Sequence, residues 1–168
     1  MKHLYKIVMI CLLVLINTGC EQDEICLEDI TPHLIVRFYN ENIPDELKSV
    51  PRLKVNIEGI DGDYINETIT IFTDSIAIPL MVTENKTRFI LTLSGDESEG
   101  TVDNLDTISF VYTQEDIFVS RSCGYKTIYH DAKTALTEDD DNWIRLIEPT
   151  ADPLEIIDEN LAHVKIYH

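Results

Sequence analysis

Leu53-Lys54-Val55-Asn56-Ile57-Glu58 alternates apolar and polar side chains without a break. A two-residue period puts Leu53, Val55 and Ile57 on one face of an extended chain, the signature of a half-buried β-strand. The same period extends outward in both directions. Leu34, Val36 and Phe38 share a face upstream, and Ile69 and Ile71 follow downstream. Ile76, Ile78 and Leu80 come next, with Thr73–Asp74–Ser75 as a turn before them. Phe89, Leu91 and Leu93 repeat the pattern, as do Ile108, Phe110 and Tyr112. Segments at Ile117–Val119, Tyr125–Tyr129, Trp143–Ile147 and His163–Tyr167 complete the set. About nine short strands divided by turn-rich stretches predict an all-β fold, a single antiparallel β-sandwich or a flattened barrel.

Two of the dividing stretches are GIDGDY (59–64) and SGDESEG (94–100). Asp131–Thr137 is the one helical candidate, at most two turns. Pro79 lacks an amide hydrogen and predicts an edge strand or a strand end. An immunoglobulin-like topology fits the strand count, but the Cys…Trp…Cys order of a true immunoglobulin domain is absent, because Trp143 follows both Cys26 and Cys123.

The amino terminus reads differently. Residues 1–6 carry Lys2 and Lys6 and no acid, and Ile7 to Ile16 is an unbroken apolar run. A bilayer-spanning helix needs about 20 such residues, so the run is the core of a secretory signal peptide over residues 1–19. The stretch ending Gly19-Cys20 resembles the lipobox of bacterial lipoproteins, with Asn17 standing where that family usually has leucine. The resemblance implies acylation of Cys20, a lipidated tether over residues 20–30 and a β-sandwich domain over 31–168. Ordinary signal-peptidase cleavage, which Asn17 fits worse, and an uncleaved N-terminal anchor are the alternatives. Glu21, Asp23 and Glu24 resemble the surface-export signal of Bacteroidota lipoproteins, and read equally as a solvated tether.

Removing residues 1–19 leaves 11 Lys and Arg against 31 Asp and Glu, a formal charge of −20. Such a surface repels nucleic acid and anionic lipid headgroups, and both are excluded as partners. Apolar content of 44% in periodic arrangement separates the chain from disordered acidic sequences. Of four cysteines, Cys11 leaves with the signal and Cys20 takes the lipid. Cys26 and Cys123 remain as an even pair in an oxidising compartment, which points to a disulfide. As a free thiol, Cys123 would have Arg121 and Lys126 nearby to favour its thiolate.

Four strings, CLEDITPHLIVRFY (26–39), DSIAIPL (74–80), VSRSCGYKT (119–127) and ENLAHVKIYH (159–168), resemble a Bacteroidota envelope lipoprotein family known only as a domain of unknown function. The resemblance implies one envelope domain without assigned activity. It supplies no catalytic or binding residue.

Motifs that carry chemistry are missing: there is no HExxH, GxSxG, P-loop, GxGxxG or CxxC. His33, His130, His163 and His168 are scattered, so no zinc site or cofactor is expected. His163 is expected at a solvent-facing or strand-end position. The acid run Glu138–Asp141 lacks the alternating ligands and central glycine of an EF-hand and reads as a solvated loop. Asp74-Ser75-Ile76 and Asp106-Thr107-Ile108 resemble the O-glycosylation sequon of Bacteroidota envelope proteins, which implies Ser75 and Thr107 as acceptors. The Asn66–Thr68 and Asn85–Thr87 triplets match the N-glycosylation pattern, a route uncommon in bacteria.

The expectation is a non-catalytic lipoprotein of the cell envelope, held on the periplasmic or surface face of the outer membrane by its lipid anchor and binding another envelope protein. Lys54, Glu58 and Lys165 are expected to guard strand edges. A surface glycan-binding lipoprotein, using exposed aromatics, is the alternative. An enzyme with a dispersed site ranks third.

Overall fold

The computed structural model describes residues 25–26, 31–62, 72–95 and 100–168. Among these residues there are twelve strands and no helix. In chain order they are β1 (Leu34–Asn40), β2 (Ile43–Leu47), β3 (Val50–Pro51), β4 (Leu53–Ile57), β5 (Phe72–Thr73) and β6 (Ser75–Ile78). Then come β7 (Lys86–Leu93), β8 (Asn104–Ser120), β9 (Gly124–Leu136), β10 (Leu146–Pro149), β11 (Leu154–Ile156) and β12 (Val164–Tyr167). The segment with Ile69 and Ile71 lies outside the described residues.

Two five-stranded sheets form the sandwich. One runs β10-β12-β1-β2, with β6 also paired to β1; the other runs β11-β9-β8-β7-β4. The short β3–β5 pair stands apart, and no sheet closes into a barrel. β1 and β12 are parallel, Val36 opposite Val164 and Tyr39 opposite Tyr167. The other pairings are antiparallel.

Alternation decides which residues meet between the sheets. Leu34, Val36 and Phe38 from β1 and Val164 and Ile166 from β12 are buried against Leu53, Val55, Phe89, Leu91, Ile108 and Phe110 of the second sheet. Each such side chain contributes about 1.5–3 kcal/mol when fully buried. Trp143 and Ile144 join this core from the loop before β10, and the Trp143 indole donates to the Leu91 carbonyl (3.3 Å). β6 ends at Ile78, where Pro79 could not donate to the ladder.

Two sequence expectations change here. Asp131–Thr137 is not a helix: residues 131–136 belong to β9, paired to β8 from Val111 to Ile108. Ala and Lys favour a helix only weakly, whereas this segment extends a ladder that already holds Tyr129 and Ala132 in the core. Ile108–Tyr112 and Ile117–Val119 are not two strands either. Both lie in β8, which is 17 residues long.

Candidate functional site: a surface recess and a hairpin arm

Four buried polar groups were the obvious places to look for chemistry, and each is consumed by the fold. Asp106 shares the inner face of β8 with Ile108, Phe110 and Tyr112 and is fully buried. Its carboxylate accepts from the Ile144 amide (2.7 Å) and the Asn142 side chain (3.1 Å). Burial raises its pKa more than those donors lower it. The Glu138–Asp141 loop is closed the same way: the Asp139 amide donates to Asn142 Oδ1 (2.8 Å) and the Asp141 amide to Asp139 Oδ1 (3.0 Å).

Tyr112 and Tyr129 meet edge to face with centroids 4.9 Å apart. Tyr112 donates to the Met81 carbonyl (2.9 Å) and Tyr129 to the Leu80 carbonyl (3.2 Å), so the pair pins the loop after β6. Burial is the main cause that raises both phenols, Tyr129 to about 12. His163 is not solvent-facing: it is 6% exposed, just before β12. Its Nδ1 accepts from the Ile35 amide (2.9 Å) while the Asp158 carbonyl accepts from the ring. The imidazole thereby replaces a backbone partner for β1, and burial lowers its pKa.

At the surface, His130 lies between Glu155 and Glu115, its Nε2 3.0 Å from Glu115, and these carboxylates raise its pKa. His33 pairs with Glu159, whose pKa is lowered chiefly by the His33 amide that donates to it (2.8 Å). No three His, Cys, Asp or Glu side chains among the described residues form a metal-binding group.

Cys20 lies outside the described residues, as do Glu21, Asp23, Glu24 and the Asn66–Thr68 triplet. Cys26 and Cys123 are joined as a disulfide, with Cα atoms 4.9 Å apart across 97 residues. That bond sits at the tip of the β8–β9 hairpin and not between the sheets, so Trp143 does not pack on it. Ser75 is half-buried in β6 opposite Arg37. Thr107 is half-buried in β8, flanked by Ile90 of β7, and its neighbour Asp106 points into the core. Thr87 is buried and hydrogen-bonded to Tyr112 (2.6 Å).

Of the three edge-guarding candidates, Lys54 is on β4, an outer strand, and lies 3.7 Å from Asp103. Glu58 follows β4 and pairs with Arg88 (2.6 Å). Lys165 cannot guard an edge, because β12 lies between β10 and β1. Its ammonium instead lies 5.4 Å from the centroid of the Tyr39 ring.

Two surface features were not read from the sequence. The first is an open recess of about 330 Å³ on the first sheet, lined by Glu41, Pro44, Arg145, Leu146, Glu148 and Tyr167. Arg145 reaches Glu41 at 3.8 Å, Leu146 is 47% exposed, and Tyr167 closes the floor. Burial, then Glu148, raises the Tyr167 pKa. The second is the distal half of the β8–β9 hairpin. Past the Asp116–Thr127 pair its side chains leave the core, and Phe118 (56% exposed) and Tyr125 (70%) face each other with centroids 5.4 Å apart.

These observations define an all-β sandwich module whose polar interior is structural and whose open features are surfaces. A family model described as Family of unknown function (DUF6452) matches residues 54–168, from β4 to the last strand. The chain belongs to that family. No curated protein and no solved structure matches the chain.

Proposed function

We propose that the chain is a non-catalytic cell-envelope lipoprotein, held on the outer membrane through acyl chains on Cys20, whose sandwich domain binds another envelope protein. The observation that carries this reading is the recess. It combines an exposed leucine, a proline, a charged pair and Glu148 at an open surface, the mixture of apolar centre and polar rim found in protein interfaces. It lies at the C-terminal ends of β1 and β12, whereas Thr31, on the tether side of β1, accepts at its hydroxyl oxygen from the Thr127 amide at the base of the arm. β1 spans about 20 Å between those ends, so the recess faces away from the anchor.

The polar interior supports a binding module over an enzyme, since Asp106, Tyr112, Tyr129 and His163 are committed to backbone partners. Glycan stacking is the weaker alternative at the recess, because Tyr167 is only 7% exposed, and the exposed Phe118–Tyr125 pair is where it would have to occur. Ser75 and Thr107 are proposed O-glycan acceptors, Ser75 on its edge strand being the more accessible to a transferase; intact mass from the native host tests both. Acylation is tested by Cys20→Ser, which should accumulate as precursor and take up no labelled palmitate. For the partner, mild-detergent capture is compared between the native chain and the recess variant Leu146→Asp/Glu148→Arg. A protein that co-purifies with the first and not with the second, equally folded, is the expected result. Retention on a polysaccharide array with no protein captured would overturn the reading.

A further inference from the structure

The tip of the β8–β9 hairpin carries chemistry unlike the rest of this acidic surface. From Ile117 to Lys126 there is no acid, and Arg121 and Lys126 bring two cations. The hairpin's acids next to this stretch are occupied: Asp116 accepts the Thr127 hydroxyl (2.7 Å) and Glu115 lies 3.0 Å from His130. Phe118 and Tyr125 form an exposed aromatic pair just before the turn that holds Cys123. Three residue pairs beyond Asp116–Thr127 separate the core from that turn, so the arm overhangs by about 10 Å at the usual strand rise.

The disulfide decides what this tip faces. Cys26 is six residues from Cys20, and a fully extended chain of six residues reaches about 20 Å at most. Without the bond, the first described contact of the tether with the domain is at Thr31, 11 residues from Cys20, and the reach is about 40 Å. The bond therefore shortens the leash and attaches it at the arm's tip. We propose that the aromatic tip of the arm, Phe118 and Tyr125 with Arg121 and Lys126 beside them, rests in the interfacial layer of the bilayer that anchors the chain, so that the Cys26–Cys123 disulfide sets the domain's orientation on the membrane. The inference rests on acylation of Cys20. Aromatic rings with one polar end favour the headgroup level, and long cationic side chains bury their stems there while reaching phosphate. With 31 acids against 11 cations after residue 19, the contact depends on the rings and not on anionic lipid.

The test uses the full acylated chain reconstituted in phosphatidylcholine vesicles that contain lipid brominated near the headgroup. Trp143, the only native tryptophan, is buried and serves as the constant background. Phe118→Trp and, separately, Tyr125→Trp report on the arm, and Leu146→Trp reports on the recess. An indole on the arm should lie within about 5–10 Å of the headgroup–acyl boundary and lose about half its emission or more, while the one at position 146 is unchanged. Reducing the disulfide should bring the arm signal down to the recess level. Vesicle flotation separates the two ideas. A chain that floats, with positions 118 and 125 quenched no more than 146, overturns the arm contact and leaves the anchor standing. Quenching that survives reduction overturns the orienting role of the disulfide. A chain that does not float removes the anchor, and the arm contact with it.

Discussion

Replacing Asp106 with alanine tests whether a buried carboxylate, and not hydrophobic contact alone, fixes the loop that delivers Trp143 and Ile144 to the core. The carboxylate is fully buried and accepts from the Ile144 amide and the Asn142 side chain at 2.7 and 3.1 Å. Hydrogen bonds to a charged group are worth about 1.5–3 kcal/mol each, and stranded buried donors cost about 1–3 kcal/mol each. Against this, the variant no longer buries an ionised group, a cost visible in the raised pKa of Asp106. The balance is a loss of about 3 kcal/mol, or about 10 °C in melting temperature for a domain of this size. Asp106→Asn keeps one acceptor and should lose about half as much. The pH dependence has a definite sign. A carboxyl whose folded pKa lies above its unfolded value near 3.8 contributes stability that is fully present below 3.8 and lost as pH rises through the folded pKa. The deficit of the asparagine variant should therefore be larger in acid than at neutral pH. Urea unfolding of the three chains reads all of this. A loss under about 1 kcal/mol for Asp106→Ala with an unchanged denaturant slope would refute the reasoning.

His163 predicts the opposite acid response. Its pKa is lowered by burial, so its contribution is present above the unfolded value near 6.5 and lost as pH falls from there through the folded pKa. Protonation also sets an Nδ1 hydrogen against the Ile35 amide. His163→Asn, which keeps an acceptor, should flatten the slope of stability between pH 7 and 5, and an unchanged slope would count against this role. His168, also lowered by burial, acts in the same direction, while His130 opposes both. Reducing the Cys26–Cys123 bond frees a 97-residue loop and should cost up to about 4–5 kcal/mol in the chain-entropy picture, less where strain intervenes. Two alkylatable thiols in the folded, unreduced chain would show that the bond does not form.

The faces of the strands were legible because one rule governs them. Leu34, Val36 and Phe38, then Phe89 and Leu91, then Ile108 and Phe110 turned inward as their alternation requires. The same rule, carried two residues back from Ile108, puts Asp106 on the inner face, where the sequence offers it only as the first residue of a glycosylation triplet. Asp131–Thr137 misled because local preference for a helix is small beside a register already fixed by Tyr129. His163 was legible as a strand-end residue and not as a buried one, because alternation says only which way a side chain leaves a strand. It does not say that a side chain at the strand's end can fold back to meet an amide on β1. The recess was illegible in principle. Glu41, Arg145 and Tyr167 are brought together only by the order β10-β12-β1-β2, and no local pattern encodes the parallel pairing of β1 with β12. Nothing local sets Phe118 and Tyr125 apart from the aromatics of the core. They are exposed because β8 and β9 continue past the sheet they belong to.

The two surface features constrain each other through the direction of β1. Its first residues follow the tether and its last lie beside the recess, so a strand of seven residues separates the end that the proposed anchor would hold to a membrane from the end that carries the recess. On a leash of about 40 Å the recess would sample many more orientations, and much of the gain from confinement to a surface would be spent on poses in which it meets only lipid. A short leash fastened at the arm, with the aromatic tip resting in the interface, removes those poses. Reduction of the disulfide should then weaken partner capture in membranes while leaving binding by the detergent-solubilised domain unchanged. If capture falls equally in both, the bond serves the fold of the recess and not its orientation.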